Sequence, residues 1–252
     1  IADREADRLH PRKRLRPIAC GAVSVNTAWI FASILLAIAF AGVFLLDAAV
    51  RPWVFITLAL YTSNVFAYSM RIKHIVIADV MSLAMGFVFR VMGGCAAIGI
   101  APSIWLLNVT LFVAMFLAFG KRLGERRVLA VAALTTGADV SNSAHSHRPV
   151  QRVYTDNLLR MMVVVTGVAT LMGYAAYVQA KEASHLGEFP LLWITMLPAT
   201  FCLLRSIVLL EHGEYDDPTE LATHDLPFQL GAGAFAILTA WVLWIGPASM
   251  LS

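Results

Sequence analysis

Charge is what this sequence has least of. Of its 252 residues 14% are Asp, Glu, Lys or Arg, 59% are apolar, and mean hydropathy is +0.73. A soluble domain carries about 25% charge, so a water-exposed globule is excluded at the outset. Cysteine is scarce too: Cys20, Cys95 and Cys202 form no CxxC pair and have no histidine at ligand spacing, so neither a zinc site nor a disulfide framework is suggested, and each reads as packing. The seven histidines make neither HExxH nor a metal triad. Walker, GxGxxG and GxSxG motifs are absent, which argues against an ATP-driven pump, a dinucleotide enzyme and a serine hydrolase. No internal repeat or low-complexity tract appears.

Long apolar runs are abundant. A hydrocarbon layer roughly 30 Å thick requires about 20 apolar residues, and seven such segments occur, near 23–46, 53–68, 75–99, 103–119, 158–180, 189–210 and 229–250. They predict an all-α, multi-spanning transmembrane bundle, one integral-membrane domain over residues 1–252. The polar connections 1–22, 69–74 and 120–160 hold fifteen of the nineteen Lys and Arg residues, against Arg51 and Lys181 in the intervening loops. The positive-inside rule therefore predicts that loops 1–22, 69–74, 120–157 and 211–228 are cytoplasmic. The chain opens on Ile1 and runs straight into charged residues, unlike a signal peptide, and reads as lacking an N-terminal part.

Three polar constellations sit in those loops. In ADREADRLHPRKRLRP, Asp3 and Asp7 stand four apart, on one face if the stretch is helical. Two carboxylates so spaced can share Mg2+, which favours one or two carboxylates plus water and phosphate oxygens. Arg12, Lys13, Arg14 and Arg16 follow as phosphate ligands. The competing reading is a solvated juxtamembrane helix whose cations touch lipid headgroups. The second, YSMRIKH, packs Tyr68, Arg71, Lys73 and His74 into a short turn, where lysine ordinarily snorkels. The third, GKRLGE, places Lys121, Arg122 and Glu125 at the end of the fourth span, with Gly120 free to let the backbone turn. Within a span, Arg90 of FVFRVMGG is expected to face the bundle interior against a carboxylate, carbonyls or an anionic ligand, with Gly93 and Gly94 permitting close helix contact. Arg205 lies nearer a cytoplasmic end, where snorkelling or loop pairing is expected.

These motifs resemble, in order and over essentially the whole chain, the UbiA superfamily of intramembrane prenyltransferases, and within it the phosphoribosyltransferase branch. Asp3 and Asp7 match the last two aspartates of the superfamily's NDxxDxxxD, and HPRKRLRPIACG is similar to the branch's HPxKRxRPIAxG. YSMRIKH resembles the tyrosine and lysine motif, FVFRVMGG the arginine-bearing helix after it, and GKRLGE the branch's GKRYAE. YTDNLLR and the DDPTEL and THD segments of the tail are similar as well. Leu123 and Gly124 depart from the Tyr-Ala of that motif, and loop 137–150 has no counterpart.

The resemblance implies a nine-helix UbiA-type fold, with the seven helices of this chain preceded by two more. It implies transfer of 5-phosphoribosyl from phosphoribosyl diphosphate to a polyprenyl (decaprenyl-like) phosphate, releasing diphosphate, in cell-envelope arabinose-donor lipid synthesis. Asp3 and Asp7 then hold Mg2+, and Lys13, Arg14, Arg16, Tyr68, Lys73, Lys121, Arg122 and Glu125 bind substrate, at the cytoplasmic face of a bacterial plasma membrane with no nucleic-acid partner. The runner-up is prenylation of an aromatic or quinone precursor by a prenyl diphosphate, which calls for carboxylates in both loops, where the second loop offers only Glu125. A transporter built around Arg90 is a further reading; internal repeats and broken helices, its usual marks, are absent.

Overall fold

The computed structural model describes residues 4–9, 13–136, 154–182, 191–212 and 223–248, which are helical apart from short connections. The chain divides into two compact units: Ile1–Pro102 with Asp139–Tyr154, and Ser103–Ala138 with Thr155–Ser252. In the first unit a short helix α1 (Arg4–Leu9) and a 3-10 turn (Lys13–Leu15) precede α2 (Val25–Gly42), α3 (Arg51–Met70) and α4 (Ala78–Ala97). The second contains α5 (Ile104–Thr136), α6 (Asp156–Glu182), α7 (Met196–His212, entered through a 3-10 turn at Leu191–Thr195) and α8 (Leu226–Ala248).

Helix starts follow local chemistry. Ser24 accepts the Thr27 N–H at 3.1 Å, Ser103 that of Leu106 at 3.1 Å, and Thr155 that of Leu158 at 3.2 Å, each satisfying an amide that the first turn leaves without a carbonyl. Pro52 occupies the first turn of α3, where the amide it lacks is not needed. Arg51 fixes the connection before it, donating from Nη2 to the carbonyls of Phe44 and Leu46 at 3.1 and 3.0 Å.

Contacts between helices whose residue numbers add to a near-constant sum establish antiparallel neighbours. In unit 1, Asn64 and Ser82 exchange two hydrogen bonds of 2.8 Å, Tyr61 meets Arg90, and Gly93 lies beneath Thr57, so α3 and α4 run oppositely. A Cβ on Gly93 would stand 3.3 Å from the Thr57 hydroxyl, whereas one on Gly94 would meet nothing within 4 Å. Close approach therefore depends on the first glycine alone. In unit 2, Val109 with Gly173, Phe116 with Gly167 and Arg126 with Asp156 set α5 against α6 in the same way. Cys202 with Gly231 and Arg205 with Asp225 do so for α7 and α8.

Among the described residues six helices are long and apolar enough to cross a membrane, and Leu226–Val242 of α8 is a shorter apolar stretch. They coincide with the seven apolar runs, with one correction. Residues 120–136, expected in a loop, continue α5, whose 33 residues extend about 50 Å at 1.5 Å per residue. The stretch has no proline and is rich in Lys, Arg, Leu, Ala and Glu, which sustain a helix beyond the apolar layer. Gly120 is accordingly not a turn residue: it is buried in mid-helix, and a Cβ there would stand 2.8 Å from Leu210 Cδ1.

Candidate active site

In unit 1, α1, the following 3-10 turn and the connection between α3 and α4 carry the predicted polar residues. Asp7 is half-buried, and Arg16 Nη1 grips both of its carboxylate oxygens, at 2.9 and 3.2 Å. Arg8 ties the same helix down by donating to the Ala19 carbonyl at 3.1 Å. Asp3 lies outside the described residues, as do the side chains of Lys13 and Glu125. Arg14 is exposed and Tyr68 half-buried near the end of α3.

Lys73 sits in a 3-10 turn, Ile72–His74, and only 6% of it is accessible. A snorkelling lysine keeps its head in water. Burial this deep is instead typical of an ammonium that is held by partners. The turn enters α4 through Ile77, whose φ of 69° is the sole positive value at a non-glycine position among the described residues. Asp79 and Tyr154, both 1% accessible, anchor it: the Tyr154 hydroxyl accepts the Ile77 N–H at 2.7 Å and donates to Asp79 Oδ1 at 2.8 Å.

In unit 2, Lys121 is exposed on α5, and Arg122 is buried with Nη1 donating to the Ala118 carbonyl at 3.0 Å. The next turn of α5 starts an ionic network. Arg126 and Arg127 pair with Asp156 at 2.7 and 3.6 Å, and Arg127 and Arg160 pair with Glu211 at 3.2 and 2.7 Å. Three guanidiniums thus share two carboxylates, tying α5, α6 and α7 together at their basic ends. Arg205 pairs with Asp225 as a loop partner, as expected.

Arg90 departs from expectation. It is exposed at the edge of an apolar cleft of about 400 Å³, donating to the Tyr61 hydroxyl at 2.7 Å. It also stacks 5.1 Å from the centroids of Tyr61 and Phe87. A hydroxyl and two ring faces satisfy the guanidinium in place of a carboxylate. The three cysteines are free thiols, and Cys20 is exposed, not packed.

Sequence reasoning passed over Asp79, and it noted YTDNLLR, which holds Tyr154, Asp156 and Arg160, as a similar segment without a role in a latch or an ionic network. The available signal was Asp79, an ionisable residue inside the predicted span 75–99, where such residues are costly and usually functional. Among the described residues no three His, Cys, Asp or Glu side chains cluster closely enough to hold a metal by themselves. The donor set nonetheless suits Mg2+, which needs few protein ligands: Asp7 offers hard oxygens that already attract a cation, the Arg16 guanidinium.

Residues 1–123 match the UbiA prenyltransferase family. Decaprenyl-phosphate phosphoribosyltransferase of Mycolicibacterium smegmatis is 30% identical over 261 residues, covering 99% of this chain and 74% of that protein. The enzyme of the same name from Corynebacterium glutamicum is 31% identical over 245 residues, covering 97% and 70%. A UbiA homolog from Archaeoglobus fulgidus, solved bound to DMAPP and Mg2+, superimposes with a TM-score of 0.64 at 17% identity, over 97% of this chain and 80% of that one. At that identity the likeness speaks for the fold.

Proposed function

The chain belongs to the UbiA prenyltransferase family, and from that membership we propose its reaction: transfer of 5-phosphoribosyl from phosphoribosyl diphosphate to a polyprenyl phosphate, in cell-envelope lipid synthesis. The observation that carries this reading is the nearly end-to-end similarity to enzymes named for phosphoribosyl transfer to decaprenyl phosphate. The composition of the candidate site supports it. Its three constellations are rich in cations, and GKRLGE has only Glu125 where a second carboxylate pair would serve a prenyl diphosphate donor.

In this reaction the bond between ribosyl C1 and the diphosphate oxygen breaks, its electron pair leaving with diphosphate, and a lipid phosphate oxygen bonds to C1. Monoester phosphates lose their second proton near a pKa of about 6, so the nucleophile is already anionic and no general base is required. Lys13, Arg14, Lys73, Lys121 and Arg122 bind the diphosphate and 5-phosphate oxygens. The arginines can do so bidentately and the lysines as point charges. Arg16, Tyr68 and Glu125 complete the binding set. Asp3 and Asp7 would hold Mg2+, which when bound supplies positive charge against the departing diphosphate. The positive-inside pattern supports a cytoplasmic site in a bacterial plasma membrane, with the polyprenyl tail lying along apolar helix faces.

The test offers the full-length protein two donor and acceptor pairs: phosphoribosyl diphosphate with polyprenyl phosphate, and prenyl diphosphate with an aromatic acid. Phosphoribosyl-lipid forms only from the first pair, depends on Mg2+, and falls about 100-fold or more in Asp7→Asn, the scale of losing one transition-state charge contact. Turnover of the second pair alone overturns the assignment.

A further inference from the structure

We propose that Tyr154 and Asp79 are positioning residues that latch the Arg71–Ile77 connection in the conformation that presents Lys73 to the donor's phosphates; this rests on the reading of Lys73 as a phosphate ligand. All of these residues belong to unit 1. The connection is short and irregular: Arg71 stands at φ −141°, ψ −45°, Ile72–His74 makes one 3-10 turn, and Ile75 is extended. Ile77 then reverses the chain at φ 69°, ψ −47° and caps α4.

Ile77 is the position where a side chain is least at ease. A β-branched residue at positive φ is a genuine outlier, and such a conformation persists only where its surroundings over-determine it. Those surroundings are hydrogen bonds with a fixed sense. The Ile77 N–H donates to the Tyr154 oxygen at 2.7 Å, which leaves the single phenolic proton for Asp79 Oδ1 at 2.8 Å. The same Oδ1 accepts the Val80 N–H at 2.8 Å, tying the latch to the first turn of α4. Tyr154 and Asp79 are each 1% accessible and Val80 is fully buried, while the Ile77 side chain itself is exposed. A tyrosine 77 residues downstream of Ile77 in sequence therefore decides the backbone angle from which the Lys73 turn departs.

Strain maintained next to a buried lysine has a mechanistic reading. With the phenolic oxygen gone, Ile77 relaxes toward negative φ, the 3-10 turn swings, and the Lys73 ammonium no longer faces the place where diphosphate binds. The binding step suffers rather than the bond-breaking step. A latch serving stability alone would alter thermal unfolding and leave the donor's KM where it was.

The experiment measures KM for phosphoribosyl diphosphate, KM for polyprenyl phosphate, kcat and thermal midpoint for the full-length protein in nanodiscs. Tyr154→Phe raises donor KM tenfold or more while kcat and lipid KM stay within threefold. Adding Ile77→Gly returns donor KM to within threefold of wild type, because glycine adopts positive φ without an anchor. Ile77→Pro, which forbids positive φ and removes the N–H that Tyr154 accepts, breaks the latch from its other side, raises donor KM as Tyr154→Phe does and serves if that variant does not fold. Unchanged donor KM in Tyr154→Phe or in Ile77→Pro, or no recovery in the double variant, overturns the latch. Lys73→Ala separates the two ideas: if it leaves donor KM unchanged, the phosphate role of Lys73 fails, and if it raises donor KM while Tyr154→Phe does not, the latch alone fails.

Discussion

Asp225 accepts from both Nε and Nη2 of Arg205, at 3.2 and 2.8 Å, and also caps α8 by accepting the Phe228 N–H at 2.8 Å. The hydrogen bonding from Arg205 is the largest influence and holds the carboxyl below its ordinary value of 3.8; burial opposes it, and the Phe228 amide and the Arg205 charge reinforce it. A carboxyl whose pKa is lower folded than unfolded contributes stability that is complete above the unfolded value and disappears as pH falls through the folded one. The thermal midpoint of wild type in detergent should therefore exceed that of Asp225→Asn by a constant margin from pH 7 to 5. That margin should close as the medium is taken below 3.8. A margin that persists unchanged into acid would show that charge on Asp225 is irrelevant. Arg205 was readable in the sequence because a cation beside an acidic loop has few other uses. Tyr154 was not, since a single tyrosine in a polar loop carries no mark of an aspartate 75 residues away.

Among the elements, glycines set how closely helices approach, and their effects differ with what each one faces. A Cβ on Gly231 of α8 would lie 2.8 Å from both Cys202 Sγ and Phe201 Cδ1 of α7, while Gly94 of α4 faces open space. Without a hydrophobic drive between lipid-bathed helices, such contacts supply much of the association, and forcing extra volume into one costs about 1–3 kcal/mol. Gly231→Ala should lower the thermal midpoint, whereas Gly94→Ala should leave it unchanged or raise it, alanine being the better helix former by about 1 kcal/mol. Equal shifts in the two variants would mean that the α7–α8 seam is not closely packed. The sequence marked Gly93 and Gly94 equally, because spacing cannot say which of two adjacent glycines lies under a neighbour. It likewise placed the end of the fourth span at residue 119 but not the end of α5 at Thr136. Apolarity reports where lipid stops, and helix propensity continues past that point.

For the molecule as a whole, hydropathy carried most of the helical architecture, since crossing a bilayer admits few backbone solutions and the helical one leaves a long apolar signature. The chemistry was legible only as motifs in three separate loops, because side-chain encounters between distant segments have no signature in linear spacing. Orientation is the global property that ties these loops to one compartment, and Cys20 can report it. Its thiol is exposed and free, just after the HPRKRLRP run, whereas Cys95 and Cys202 lie in spanning helices. With Cys95 and Cys202 replaced by alanine, a membrane-impermeant maleimide should label Cys20 in inverted membrane vesicles and leave it unlabelled in intact spheroplasts. Asp47→Cys, in the connection between α2 and α3 with Cys20 also replaced by alanine, should give the opposite result, which controls for reagent access. Labelling of Cys20 from outside the cell would place the basic loops on the wrong side for a cytoplasmic sugar diphosphate. The carboxylate and cation sites of unit 1 would then need a different substrate, whatever the similarity of the chain to known transferases.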